Sequence, residues 1–274
     1  MTESRGSVTG RVVAIWRYPV KSMMGEELNA TEVTERGVMG DRAYALVDAE
    51  TGKVASAKNP RRWPNLFDFR AAYVEPPRDA QSLPPARITL PDGESLTTNQ
   101  MDVEPRLSAA VGRPVRLARA AANAATAEGY WPEHDWLSKR DEVFEVPIPP
   151  GTFFDVDIVH LVTTATLDRL ATSAPTSRFE VPRFRPDFVI EVTDGSDGFV
   201  ENGWIGRTLV LGDVSLRIDR PCARCVMTTL SQGSLPKDPK VLRAVVQEND
   251  GNVGVYATVV QGGRVRRGDA VGLS

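Results

Sequence analysis

Two cysteines serve the whole 274-residue chain, and both stand in one short run, RPCARCVMTTL, as Cys222 and Cys225. Four chemistries are open to a C-x-x-C pair in that setting. A structural zinc site needs four nitrogen or sulfur ligands. The chain's two histidines, His134 and His160, lie far from the pair and give no standard finger spacing. A thioredoxin-like redox pair sits where a strand turns into a helix, so that the helix N-terminus lowers the first thiol's pKa. Here Val226, Thr228 and Thr229 follow, and β-branched residues favour extended chain. Two buried core thiols are the plainest reading, because free cysteine is among the most buried residue types. The fourth is a thiolate offered to an electrophile, which the charges of Arg220 and Arg224 would favour. A catalytic Cys–His pair would have to join one of these thiols to His134 or His160, and His160 stands in an apolar run that reads as core.

Cations gather at two other places. The stretches YPVKSMMG (18–25) and GVMGDRAYALVD (37–48) put Lys21, Ser22 and Arg42 near strand ends, and RFRPDFVI (183–190) puts Arg183 and Arg185 just before a strand. Such groups can hold an anion, and arginine's planar fork suits phosphate or an oxo group. Solvated surface charge is the alternative. The sequence holds no phosphate-binding G-x-x-x-x-G-K-[ST], no G-x-G-x-x-G after a strand and no G-x-S-x-G elbow.

The elements that must position these residues are mostly strands. Runs rich in β-branched and aromatic residues recur between Gly, Pro, Asn and Asp. They predict strands at 11–18, 43–48, 67–74, 87–90, 158–162, 188–193, 208–211, 214–218 and 253–260, with a tight hairpin at Gly212-Asp213. Asp238-Pro239 opens a helix that Asp250-Gly251 ends. Thr164 caps a second helix, and 107–111 forms a short third. The proline-rich segment 75–85 is a surface loop, 118–127 a helix or connector, and 145–150 an extended loop. This is a strand-dominated α+β chain with few helices, and the regular alternation of a doubly wound sheet is absent. A boundary near residue 120 divides it into units at 8–120 and 121–274.

Bulk composition narrows the partners. A chain 41% hydrophobic and 25% charged is globular. A net charge of −3 argues against a general nucleic-acid binder. Two cysteines cannot hold an iron–sulfur cluster or staple a secreted scaffold. With no signal peptide and no apolar run of about 18 residues, the expected location is cytoplasmic, with no membrane partner.

Taken together the motifs resemble the MOSC proteins that carry an N-terminal β-barrel-like MOSC domain, similar in layout to the mitochondrial amidoxime-reducing component and its bacterial counterparts. The marks are RYPVKSMMGEEL, GVMGDRAYALVD, RFRPDFVIE, WIGRTLVLGDVSLRI, PCARCVMTTL and GVYATVV…GRVRRGDAV, in family order from about Arg11 to Gly272. The resemblance implies a β-barrel MOSC core beside an N-terminal β-rich domain. It also implies a molybdenum cofactor (a pterin dithiolene with a terminal phosphate) and reduction of small N-hydroxylated compounds such as amidoximes, hydroxylamines and N-hydroxylated bases. It makes Cys225 the metal-binding and catalytic thiolate. Lys21, Ser22, Arg42, Arg185, Arg224, Tyr256 and, more weakly, Thr163 become cofactor-binding, with Asp155 as a weak transfer and Cys222 without a role. Electrons would come from a separate flavin or iron–sulfur reductase. The competing implication is a non-catalytic sulfur carrier with a persulfide on Cys225.

Overall fold

Residues 208–211 and 214–218 alternate more and less buried side chains, and the chain folds there as a hairpin in which Leu211 pairs with Val214. Gly212, at φ 57°, takes the left-handed turn conformation that a two-residue connection demands. The structure, a computed structural model, describes residues 7–120, 125–131, 141–149, 151–193 and 195–274. Its strands in the first half are β1 (Ser7–Arg17), β2 (Glu26–Leu28), β3 (Ala30–Thr34), β4 (Gly37–Val38), β5 (Tyr44–Asp48), β6 (Arg70–Tyr73), β7 (Ala86–Thr89), β8 (Ser95–Thr97) and β9 (Val115–Arg119). In the second half they are β10 (Ala125–Trp131), β11 (Glu142–Ile148), β12 (Val159–Thr163), β13 (Phe188–Val192), β14 (Thr208–Leu211), β15 (Val214–Ala223), β16 (Asn252–Gln261), β17 (Gly263–Arg266) and β18 (Ala270–Leu273). The helices are α1 (Val103–Val111), α2 (Thr164–Ser173), α3 (Val181–Phe184) and α4 (Pro239–Asn249). No helix among the described residues is long and apolar enough to cross a membrane.

Seven strands close into a barrel in the order β13-β12-β16-β15-β14-β18-β1, and β1 returns to β13. Strand β2 adds to the end of β1. All barrel pairings are antiparallel except β12 with β13, which α2 and α3 connect, as a parallel pair requires a crossover. The barrel is filled by Ile15, Leu161, Ile190, Leu216, Ile218 and Val255 among others. Helices α2 and α4 pack outside it through Leu170, Val241 and Val245. A second core, around Met23, Leu46, Phe67, Ile88 and Leu107, holds the small sheets β5-β9 and β6-β7-β8 with α1. Strand β1 lies early in the sequence, yet its partners β13 and β18 both belong to the second half.

The strand-dominated α+β reading stands, and four local expectations change. Thr163, not Thr164, caps α2: its side chain accepts from Thr166 N–H. In segment 118–127, Ala118 and Arg119 end β9 and Ala125–Ala127 start β10, not a helix, while 121–124 lie outside the described residues. The extended loop expected at 145–150 is mostly β11, in register with β10 from Glu142 to Ile148. Strand β6 is shorter than expected because Leu66–Asp68 form a 3₁₀ turn before it. His134 lies outside the described residues.

Candidate functional site

The local geometry of β15 settles which way each cysteine points. Alternation buries Leu216 and Ile218. A register shift between Ile218 and Arg220, and another between Pro221 and Ala223, then break it. The second lies opposite Gly254, whose φ of 76° only glycine adopts without strain. A Cβ at that position would lie 2.3 Å from Leu161 O and 2.5 Å from His160 Nε2. After the shifts Cys222 is fully buried, while Cys225 is half-buried. Cys225 stands in extended conformation just before a 3₁₀ turn, Val226–Thr229, and packs against the second core.

Cys225 lies at the seam of the two cores, and a hollow of about 130 Å³ opens there. Lys21, Ser22, Arg42, Arg185, Arg224 and Tyr256 line it with Cys225. Lys58, Asp155, His160 and Asp187 line it too. Thr163 does not: its hydroxyl donates to Glu201 Oε2 at 2.7 Å while capping α2, beneath the surface. A larger hollow of about 280 Å³ shares Arg42 and Phe154 with this one.

Backbone bonds bring the two N-terminal clusters together. Lys21 N–H donates to Tyr44 O and Arg42 N–H to Tyr18 O, each at 2.8 Å. Ser22, Arg42 and Arg185 have φ of 63°, 44° and 53°. Left-handed backbone at non-glycine residues costs about 1–3 kcal/mol each and concentrates at sites where geometry matters. Ser22 Oγ accepts from Ala57 N–H at 3.0 Å, which ties the 56–59 turn to the hollow.

The charges are unevenly matched. Lys21 Nζ donates to Phe153 O at 2.8 Å and pairs with Asp155 Oδ1. Burial pulls the Lys21 ammonium down and Asp155 opposes it. Burial would raise Asp155, but the charges of Lys21 and Lys58 outweigh it and hold the carboxyl low. Arg42 pairs with Asp41 and, at 2.9 Å, with Asp187 Oδ1. Arg42 and Arg185 both stack on the Tyr18 ring, at 4.6 and 4.1 Å from its centroid. Arg185 donates to Met23 O at 2.7 Å and has no ion pair with a described carboxylate. Burial and the nearby Arg42 bring it down to about 10. Asp187 is pushed up to about 7 by burial and by Asp41, and it accepts from His160 N–H at 2.8 Å. His160 Nε2 bonds Val253 O at 3.0 Å, and burial takes the ring down to about 3, so it stays neutral. This is the satisfied core histidine expected from its apolar strand.

Arg224 donates through Nη1 to Cys222 Sγ at 2.7 Å and through Nη2 to Phe184 O at 2.9 Å. Its Nε is buried without a partner among the described residues. Tyr256 lines the hollow beside Arg224, and burial raises its pKa. Five cations thus face the hollow against Asp155, Asp187 and Asp157, the last of which is paired with Arg220, with one orphaned guanidinium N–H among them. An anion there would relieve the cost of burying unpaired charge. No three His, Cys, Asp or Glu side chains cluster as metal ligands among the described residues. A zinc half-site therefore lacks partners there, and a metal at Cys225 would have to bring most of its ligands with it. An anionic cofactor that carries its own metal donors fits this set, and soft thiolate suits such a metal.

Sequence reasoning missed Lys58, Asp187 and Tyr18 as parts of the site. Tyr18 and Asp187 sit inside motifs already quoted, where one aromatic and one acid beside the arginines were the only signal. Lys58, in Ala57-Lys58-Asn59-Pro60, looks like an ordinary turn lysine.

A family model described as "MOSC domain" matches residues 152–272. Another, "MOSC N-terminal beta barrel domain", matches residues 9–139. Mitochondrial amidoxime reducing component 2 of Rattus norvegicus is 25% identical over 243 residues, 81% of this chain and 67% of that protein. Mitochondrial amidoxime-reducing component 1 of Homo sapiens is 23% identical over 244 residues, 81% and 66% of the two chains. The chain thus spans about two thirds of the length of these relatives. Among solved structures, the YUAD protein from Bacillus subtilis aligns over 97% of this chain and 95% of its own, with 11% identity and a TM-score of 0.46. YiiM from Geobacillus stearothermophilus aligns over 58% and 67%, with 15% identity and a TM-score of 0.34.

Proposed function

The chain belongs to the MOSC family, and from that premise we propose that it is a molybdenum-cofactor-dependent oxidoreductase that reduces small N-hydroxylated compounds with electrons from a separate protein. The observation that carries this reading is the convergence of Cys225 with Lys21, Arg42, Arg185 and Arg224 around one hollow at the seam of the two cores. Distant similarity to the amidoxime reducing components supports the reaction class.

In this reading Cys225 holds the metal. Lys21, Ser22, Arg42, Arg185, Arg224 and Tyr256 hold the anionic parts of the cofactor, with the free Arg224 Nε–H as one available donor. Thr163 drops out of that set because its hydroxyl is committed to Glu201 and Thr166. The bound cofactor would supply a two-electron metal centre able to take oxygen from an N–OH group. The chain's own residues bind and orient. Phe153, Phe154, Phe184 and Met227 in the wall limit water. Arg42 and Arg185 are fixed on Tyr18 before any ligand arrives, so little reorganisation accompanies binding. Asp187, pushed up to about 7, can carry a proton at neutral pH beside Arg42.

The test is expression in a host that makes the cofactor, followed by metal analysis, pterin fluorescence and turnover of benzamidoxime with a chemical reductant. Near-stoichiometric molybdenum and turnover, both lost in Cys225→Ala, are expected. Turnover that survives Cys225→Ala removes the assigned role. Cyanide-labile sulfur with little metal would instead mark a persulfide carrier.

A further inference from the structure

Lys58 is the cation of the hollow that the cofactor assignment leaves unused. Local bonds hold it there: Ala57 N–H donates to Ser22 Oγ at 3.0 Å, and Lys58 N–H to Ser56 Oγ at 3.2 Å. Its Nζ lies 3.4 Å from Asp155 Oδ2. Asp155 is already paired through Oδ1 with Lys21, whose ammonium also donates to Phe153 O. Two ammonium groups therefore share one carboxylate, and one positive charge is left over.

That surplus sits toward the mouth. The Lys58 side chain is 16% exposed, against 4% for Lys21. An ammonium has three donors, and no ion-pair partner besides Asp155 is seen for Lys58 among the described residues. Burial would lower its pKa, but Asp155 and then Cys225 outweigh burial and keep it protonated. Lys58 lines the same hollow as Cys225, nearer its mouth than Lys21, where a reacting molecule would enter.

We propose that Lys58 binds the substrate, and that the substrate class of this site is a small N-hydroxylated compound bearing a negative charge, such as a carboxylate. The N-hydroxy part of that statement rests on the reductase reading; the anion part rests on Lys58 alone.

The experiment compares benzamidoxime with 4-carboxybenzamidoxime on cofactor-loaded native protein and on Lys58→Gln and Lys58→Arg. The native protein is expected to favour the carboxylated compound in kcat/KM, with an advantage that added salt erodes. Lys58→Gln should cut the ratio of the two kcat/KM values about tenfold, and Lys58→Arg should keep most of it. Molybdenum and pterin contents of Lys58→Gln should match those of the native protein. A native protein indifferent to the carboxylate, a ratio unchanged in Lys58→Gln, or a Lys58→Gln protein emptied of cofactor would each overturn the proposal. Equilibrium titration with 4-carboxybenzamidoxime separates the two readings. If neither compound is turned over, the reductase reading fails, and about tenfold weaker binding by Lys58→Gln still upholds the anion site; equal binding sinks it.

Discussion

The guanidinium of Arg224 is bonded to Cys222, not to Cys225: Nη1 donates to the Cys222 sulfur at 2.7 Å. The thiol that the sequence left without a role thus fixes the arginine next to the proposed metal ligand. Cys222→Ala leaves that donor without its acceptor, and should cost about 1–2 kcal/mol of stability in urea unfolding. Molybdenum content should fall with it. Cys222→Ser keeps an acceptor and should retain more of both. Full metal retention in Cys222→Ala would show that Arg224 needs no such anchor.

Arg183 and Arg185, two residues apart, are used in opposite ways. Arg183 is fully buried, and its guanidinium donates to four carbonyl oxygens, of Arg178, Thr228, Leu230 and Pro236, at 2.7–3.2 Å. It clamps the chain that follows Cys225. Arg183→Met strands four carbonyl acceptors, that of Thr228 fully buried, and should cost about 2–3 kcal/mol. Arg183→Lys, with three donors, should cost less. Thiol labelling of Cys225 should speed up in both variants as the loop loosens, and unchanged labelling would argue against the clamp.

Gly254 and Gly52 share a left-handed backbone, at φ 76° and 71°, but only Gly254 is crowded. Gly52→Ala should cost about 1 kcal/mol, from conformation alone. Gly254→Ala adds a clash with Leu161 O and His160 and should cost about 3 kcal/mol or more. Comparable melting temperatures for the two variants would contradict the crowding of Gly254 opposite the β15 register shift.

His160 and Asp187 exert opposed pH effects on stability. His160 falls from 6.5 to about 3 on folding, so its neutral form stabilises the fold above pH 6.5 and that contribution is lost as pH falls toward 3. Asp187 rises from 3.8 to about 7, so its contribution is full below pH 3.8 and is lost as pH rises through 7. Between about pH 4 and 6.5 the two offset each other in the native protein. Asp187→Asn has one acceptor oxygen where the carboxylate offers two, to His160 N–H and to Arg42, and is less stable throughout, and its stability should fall steeply on acidification from pH 6.5. His160→Gln should instead lose stability as pH rises from 4 to 7. Denaturation midpoints across that range check both slopes, and parallel curves for the two variants would refute the opposition.

The parts of the fold legible in the sequence were those set by neighbours in the chain. Asp238 accepts from Lys240 N–H and starts α4, and Gly212-Asp213 turns β14 into β15. Strand β11 was hidden because Pro147 reads as a loop residue, yet it pairs with Thr126 in a two-stranded sheet that needs few of its donors. At the site, Lys21, Arg42, Arg185 and Cys225 could be named from motifs, but nothing local joins them. Lys58 escaped notice because the bond that delivers it, Ala57 N–H to Ser22 Oγ, links residues distant in sequence. Thr163 was misplaced because a hydroxyl at a strand end serves equally as a ligand or a helix cap until Glu201 is seen beside it.

Strand β1 pairs Gly10 with Val192 and Ser7 with Leu273. During vectorial synthesis on a ribosome, β1 emerges well before β13, and β18, its second neighbour, leaves the exit tunnel long afterwards. Closure is therefore a late event with a high entropic barrier, as topologies rich in distant contacts fold slowly. Until then the apolar side of β1, with Val12 and Ile15 on it, stays open to holdase chaperones or to mispairing with other nascent chains.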